Sequence, residues 1–243
     1  MFEFFTSFFN IFLYQPLFNS LVLIYNYLPW SDIGISIVIL TIIIRAVLYP
    51  VAVKALKSQK TLQELQPKIQ EIQKKHKNNK EQLAMETLEL YRREKINPFS
   101  SLFLALIQLP ILIALYTVFW KGLNPDELAN LYSFVSSPGQ LNAVFLGFMD
   151  LSKTNFIIAI LAGIFQFFQT KMMLPKTAPV QKKGSDIAQM MQKQMVYFFP
   201  FLTVFILMNL PSAIGLYWIV SGIFSIVQQY FILKQYPAEA KKI

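Results

Sequence analysis

The sequence predicts an all-α integral membrane protein with five transmembrane helices, its N-terminus outside the cell and its C-terminus in the cytoplasm. Of the 243 residues, 55% are hydrophobic and only 14% are charged. The apolar residues form runs too long for a soluble core, because a helix that crosses the ~30 Å hydrocarbon layer needs about 20 mostly apolar residues. This composition excludes a disordered chain and a collagen.

Five segments have the apolar character of membrane spans. The predicted spans are residues 33–53, 99–120, 155–174, 196–210 and 212–233. The fourth is short, and Pro211 separates it from the fifth, so these two are predicted to form a tight helical hairpin with its turn at 209–212. The membrane domain is therefore predicted over residues 31–243.

Basic residues near the span ends predict the orientation, because cytoplasmic loops carry an excess of Lys and Arg. Residues 54–97 contain eleven, residues 175–195 four and residues 234–243 three. Residues 1–32 contain none, and residues 121–153 contain two. This asymmetry also explains the net charge of +9 without any specific nucleic-acid binding.

Residues 1–30 are predicted to form an amphipathic helix on the outer membrane surface. Phe5, Phe8, Phe9 and Phe12 recur at helical spacing, with polar residues on the opposite face. Pro16 is expected to interrupt this helix midway. The alternatives are a sixth span or a signal peptide, although a signal peptide would need a basic region and a small-residue cleavage site.

Residues 54–97 are predicted to form an antiparallel cytoplasmic helical hairpin. Leu62, Leu65, Ile69 and Ile72 repeat at helical spacing, charges of both signs cover the other faces, and a polar turn follows at 76–80. Pro67 is expected to kink or restart the first helix. Two interpretations remain open: the hairpin is a solvated spacer, or it contacts a partner.

The sequence offers little for catalysis or for binding a cofactor. It has no cysteine, which excludes a cysteine nucleophile and Cys-based zinc or iron–sulfur sites. The lone His76 cannot build a His-rich metal site. We therefore expect no catalytic residue, no metal and no cofactor.

Arg45 is a charged residue inside the first predicted span, eight residues before its end. A central arginine costs about 2.5–3.5 kcal/mol on insertion scales. One explanation is snorkelling to the cytoplasmic interface, and the other is a water-filled cavity inside the helix bundle. Helix side chains lean toward the N-terminus, here away from the nearer water, which favours the cavity. No Asp or Glu lies in any predicted span, so such a cavity would attract carboxylates.

Polar residues on the other spans support a cavity. Thr41, Arg45 and Tyr49 are four residues apart and share one helix face, as do Ser221 and Ser225. Individually, such residues more often hold helices together than bind a ligand. The candidate groove residues are Thr41, Arg45, Tyr49, Gln108, Gln166, Gln169, Trp218, Ser221 and Ser225.

Several of these residues lie in motifs with a family resemblance. The stretches 41–50 (TIIIRAVLYP), 65–69 (LQPKI), 106–111 (LIQLPI) and 215–218 (GLYW) resemble the signatures of the YidC membrane protein insertase family, over about residues 14–235. The resemblance implies a five-span bundle with a groove that is open to the cytoplasm and the lipid but sealed outside. It also implies that Arg45 is the groove arginine, that Thr41, Tyr49, Tyr217 and Trp218 face substrate, and that Gln169 is the amide of the third span.

The function expected from this resemblance is the insertion and folding of other membrane proteins. The acidic tail of a substrate would enter the groove toward Arg45, and its apolar segment would then pass into lipid beside the third and last spans. The expected partners are nascent membrane proteins and lipids, with the Sec channel, ribosome or a targeting receptor at the hairpin. The alternative is a small-solute transporter or channel with an anion site. An intramembrane enzyme is disfavoured because the spans lack Asp, Glu, His and Cys.

Overall fold

The computed structural model describes residues 2–94, 97, 100–121, 125–172 and 194–235. The outermost residues of the second and third predicted spans, the segment 173–193 and the C-terminal residues 236–243 lie outside this part of the chain. The helices are α1 (Phe2–Phe9), α2 (Gln15–Tyr27), α3 (Ile33–Val47), α4 (Tyr49–Lys75), α5 (Lys80–Arg93), α6 (Ser100–Lys121), α7 (Phe156–Met172), α8 (Phe199–Leu207) and α9 (Ser212–Gln235).

The N-terminal helix is not interrupted at Pro16, contrary to expectation. A π-helical turn at Asn10–Tyr14 joins α1 to α2, and Pro16 lies in the first turn of α2, where its missing N–H costs little. One face packs into the bundle, with Phe18 and Val22 fully buried. The placement of residues 1–30 on the membrane surface stays a prediction. The stretch Thr6–Tyr27 also has the length and hydropathy of the alternative, a sixth span.

The first predicted span, 33–53, is not one straight helix. α3 ends at Val47, and α4 leaves it at an angle of 62° after Leu48. Pro50 lies in the first turn of α4. Its ring has no N–H and would clash with the carbonyl four residues earlier if the helix continued straight. Residues 49–53 therefore belong to the first helix of the hairpin.

The predicted helical hairpin is present as α4 and α5, which join at His76–Asn79. Leu65, Ile69 and Leu90 form a small core between the two helices. The Nζ atom of Lys75 lies 3.2 Å from Oε1 of Glu86. This hydrogen bond holds the pKa of the Glu86 carboxyl below its ordinary value. Pro67 lies inside α4, which continues through it, so the helix does not restart there, and a kink at Pro67 stays a prediction.

The fourth and last predicted spans are α8 and α9, and the predicted turn between them is present. A π-helical turn, Gln194–Phe198, precedes α8, and the chain turns at residues 208–211. α7 packs closely against both helices, because Gly163 faces Val204 of α8 and Gly215 of α9 faces Ile158 of α7. A Cβ atom at either glycine would overlap the facing side chain. These two glycines thus allow the close approach of α7, α8 and α9.

The apolar helices differ in how well they match a membrane-spanning length. Among the described residues, Thr6–Tyr27 and Ser212–Gln235 satisfy both length and hydropathy, and the bent pair α3 and α4 counts as a third span if it is taken together. Leu106–Trp120, Phe156–Met172 and Val196–Leu207 are apolar but shorter. The protein is thus a helical membrane protein, whereas the five spans and their orientation stay predictions.

A short β-hairpin, which the sequence analysis did not predict, lies between α6 and α7. Strand β1 (Val144–Phe145) pairs antiparallel with β2 (Met149–Asp150). Residues 146–148 form its turn, in which Leu146 and Gly147 have positive φ values of 52° and 80°. Asp32 fixes this turn to α3: its Oδ2 accepts a hydrogen bond from N of Leu146 (2.7 Å) and its Oδ1 one from N of Ile35 (3.0 Å).

Candidate functional site

α9 is the helix around which the predicted groove residues are organised. Three of its side chains, Tyr217, Trp218 and Ser221, lie within one turn and point to three different helices. Gln108 of α6 donates from Nε2 to the hydroxyl of Tyr217 at 2.6 Å. Trp218 donates from Nε1 to Oε1 of Gln166 on α7 at 2.8 Å. The third side chain, Ser221, bonds to Arg45 of α3. Six of the ten predicted residues therefore form three hydrogen-bonded pairs.

Arg45 lies in the last turn of α3, and its Nε donates to Oγ of Ser221 at 3.1 Å. The prediction that Arg45 lies eight residues before the end of its helix is wrong, because α3 ends at Val47. The C-terminal end of a helix carries a partial negative charge, which favours a cation there. None of the ion pairs among the described residues includes Arg45. The guanidinium is thus half-buried and bonded to a neutral hydroxyl.

The other predicted residues occupy different positions around this cluster. Thr41 is only 2% exposed, and its hydroxyl donates to the carbonyl of Ile37 in the same helix at 2.6 Å. Ser225 is also buried, and Gln169 is half-buried one turn after Gln166. Tyr49 is 43% exposed and begins α4, beyond the bend. The bend thus breaks the helical stripe that was predicted to align Tyr49 with Arg45.

Gln229, four residues after Ser225 on α9, is not among the predicted site residues. It is buried on α9, two turns after Ser221, and its Oε1 has no hydrogen-bond partner among the described residues. It lines a small cavity of about 20 Å³, together with Gln59 and Gln63 of α4. That volume is enough for about one water molecule. The polar stripe of α9 thus continues to the point where the helical hairpin meets the bundle.

An apolar cleft runs beside the polar cluster, between α6, α8 and α9. Its volume is about 280 Å³. Trp218 belongs to both sites, because its indole N–H bonds to Gln166 while its ring lines the cleft. The remaining lining residues are Leu112, Ile113, Tyr116, Thr203, Ile206, Leu207, Leu210 and Ile214. Sequence analysis missed this cleft, because apolar residues that line a cleft and apolar residues that face lipid give the same pattern.

Residues 23–240 match the model of a protein family described as the 60Kd inner membrane protein. The chain belongs to this family. The match covers the four helices that form the polar cluster and confirms the resemblance seen in the sequence motifs. Several proteins with similar sequences are named membrane protein insertase YidC.

Some of these YidC proteins are similar in length to this chain, and others are much longer. The YidC of Fusobacterium nucleatum subsp. nucleatum is 35% identical over 84% of this chain and 88% of its own length. That of Oceanobacillus iheyensis is 33% identical over 86% of this chain and 77% of its own length. The YidC of Syntrophus aciditrophicus is 35% identical over 91% of this chain, which spans only 36% of that relative. The chain is therefore a YidC family protein of the bacterial plasma membrane.

Proposed function

We propose that this chain inserts membrane proteins by drawing the acidic end of a substrate to Arg45. The observation that carries the proposal is a half-buried guanidinium, in an apolar helix bundle, whose described partner is the neutral hydroxyl of Ser221. A guanidinium has five N–H donors, and a hydroxyl neutralises none of its charge. A carboxylate offers both the opposite charge and two acceptor oxygens. The substrates on this proposal are nascent membrane proteins.

The proposed topology has five spans, with the N-terminus outside and the C-terminus in the cytoplasm. In this arrangement the first and last spans run in the same direction. The contacts of α3 and α9 support this, since both helices begin at the β-hairpin: N of Leu146 donates to Asp32, and N of Ala213 donates to the carbonyl of Leu151 at 3.1 Å. The basic helical hairpin follows the other end of α3, as a cytoplasmic location requires.

The apolar part of the substrate leaves, on this proposal, through the cleft between α6, α8 and α9. Sequence analysis predicted an exit past the third and last spans. The packing of α7 against α9 disfavours that route, because Gly215 and Ile158 fill the seam. α8 has nine residues, and even with its preceding π-helical turn it is short for a span, which favours a locally thin bilayer beside the cleft. Transfer of apolar surface into lipid supplies the energy, so no catalytic step is included.

Crosslinking from two exposed isoleucines tests this route. Ile113 lines the cleft, whereas Ile164 lies on α7, and both side chains are exposed. With a photo-crosslinking amino acid at position 113, we expect adducts to the apolar segment of a stalled nascent chain, and with one at position 164 we expect few. Neither change removes a hydrogen bond of the polar cluster. Adducts at 164 with none at 113 would place the exit beside α7 and contradict the proposal.

We propose further that the helical hairpin contacts the ribosome, the Sec channel or a targeting receptor. This proposal is supported by the surface of the hairpin, which carries both basic and acidic side chains outside its small apolar core. Replacing residues 73–83 by a short Gly-Ser linker removes the turn but keeps Leu65, Ile69 and Leu90. We expect insertion in cells to fall several-fold, measured by protease protection of a single-span substrate.

The matched control for this deletion is insertion of a released substrate into proteoliposomes that contain only the purified protein. Because no ribosome, Sec channel or receptor is present, the deletion should leave this activity and the thermal unfolding of the bundle unchanged. If insertion in cells is also unchanged, the hairpin is a spacer. If the purified variant unfolds at a lower temperature, the cellular loss reflects stability and gives no support to a partner contact.

A further inference from the structure

The connection between α6 and α7 contains a long uncharged stretch with exposed aromatic side chains. No residue from 128 to 149 is Asp, Glu, Lys or Arg. Phe148, the last residue of the β-hairpin turn, is 75% exposed, and Leu146 in the same turn is exposed as well. Asp, Glu, Lys and Arg are mostly found on water-facing surface, and exposed apolar patches mark surfaces that contact a membrane or another protein.

Hydrogen bonds fix the depth of this β-hairpin relative to two helices. Its turn is held to the residue that precedes α3, because Asp32 accepts from N of Leu146 at 2.7 Å. Its base is held to the start of α9, because N of Ser212 donates to the carbonyl of Lys153 at 2.8 Å. If both helices span the bilayer, their first residues lie at one membrane face. The β-hairpin therefore lies across the end of the bundle at that depth.

Aromatic side chains of the neighbouring chain segment lie at the same end of the bundle. Tyr27, the last residue of α2, and Trp30, between α2 and α3, are 82% and 79% exposed. Asn26 holds the end of α2 to the uncharged stretch by donating from Nδ2 to the carbonyl of Ser136 at 2.7 Å. Trp and Tyr are enriched at membrane interfaces, where one part of the ring contacts lipid and the polar atom contacts water.

We propose that the turn of the β-hairpin, residues 146–148, is embedded among the lipids of the outer leaflet and anchors the outer ends of α3 and α9. Lipid is the occupant that fits, because the surface is apolar, without charge, and held at the depth of two helix ends beside exposed Tyr and Trp side chains. The inference rests on the proposed topology, in which α3 and α9 span the membrane. It assigns a membrane contact to a segment outside the polar cluster and the cleft.

Spin labels at single cysteines test this proposal directly, since the chain has no cysteine of its own. The probe is Phe148→Cys, with Leu146→Cys as a second probe, in protein reconstituted into single-copy lipid nanodiscs. Lys153→Cys is the aqueous reference, because its side chain is 78% exposed and carries a charge. Phe205→Cys, on an exposed face of α8, is the lipid reference. The measurement is the relaxation of each label by molecular oxygen and by a water-soluble nickel chelate.

We expect the ratio of oxygen to nickel accessibility at position 148 to be several-fold higher than at position 153 and to approach that at position 205. Equal ratios at 148 and 153 would place the turn in water and overturn the anchor. An immobile label that neither reagent reaches would show that protein covers the turn, which also overturns it. A label at 205 that reads as aqueous would overturn the topology itself, so the two failures are distinguishable.

Discussion

Replacing Arg45 by Glu is expected to reduce the insertion of an acidic-tailed single-span substrate by at least about tenfold. At an effective dielectric constant near 20, two unit charges about 5 Å apart interact by about 3 kcal/mol, and about 1.4 kcal/mol already changes a rate tenfold. Replacing the arginine by glutamate turns the attraction between residue 45 and the acidic tail into a repulsion of similar size. The measurement is protease protection of the substrate tail in proteoliposomes.

Two matched variants separate charge from hydrogen bonding at position 45. Arg45→Lys keeps the charge and is expected to retain most of the activity. Arg45→Gln keeps a donor for Ser221 but has no charge. We expect it to lose nearly as much insertion activity as Arg45→Glu.

The sharpest control for Arg45 reverses the charge of the substrate. A substrate whose tail carboxylates are replaced by lysines should insert better with Arg45→Glu than with the original arginine. If Arg45→Glu inserts the acidic-tailed substrate at the original rate, Arg45 does not attract the tail. Flux of small anions through liposomes that depends on Arg45 would support a transporter in its place.

Replacing Gly215 by Val is expected to have the largest effect on stability. A Cβ atom at this position overlaps Cγ2 of Ile158, a branched side chain that cannot rotate away easily. Overpacking of this kind typically costs about 1–3 kcal/mol. Because Tyr217 and Trp218 follow within one turn, we expect insertion activity to fall with the thermal unfolding temperature of the detergent-solubilised protein.

A lipid-facing substitution provides the control for Gly215. Val227→Ile adds volume on the exposed side of the same helix and should leave the unfolding temperature nearly unchanged. Conversely, adding Ile158→Ala to Gly215→Val should restore part of the loss, because it removes the side chain that is overlapped. A double variant no more stable than Gly215→Val alone would mean that the seam between α7 and α9 is not the cause.

The helices of the fold could be predicted largely from hydropathy and helical spacing, but their bends could not. The hairpin of α4 and α5 follows from the repeat of Leu65 and Ile69, since periodic apolar residues report directly on a buried face. The bend at Leu48 lies within the mostly apolar stretch 46–53, where hydropathy gives no signal. The local signal was Pro50, which is compatible with a new helix starting one residue before it. Pro16 and Pro67, by contrast, are accommodated within their helices.

The candidate site could be predicted as a set of residues but not as a set of contacts. Spacing places Ser221 and Ser225 on one face of α9, yet the pairing of Ser221 with Arg45 depends on how α3 and α9 pack. Tyr49 was assigned to the wrong stripe because of the bend. The β-hairpin was missed because its strands are only two residues long, and no sequence pattern identifies Asp32 as the carboxylate that holds it.

The position of α9 in the chain has a consequence for biosynthesis. Translation proceeds from the N-terminus, so α9 is the last of these helices to leave the ribosome. Each of the three bonds that join the polar cluster ends on a residue of this helix. Until it is made, Gln108, Gln166 and Arg45 lack these partners. The polar cluster can therefore form only after α9 has been made, although its other three helices are complete earlier.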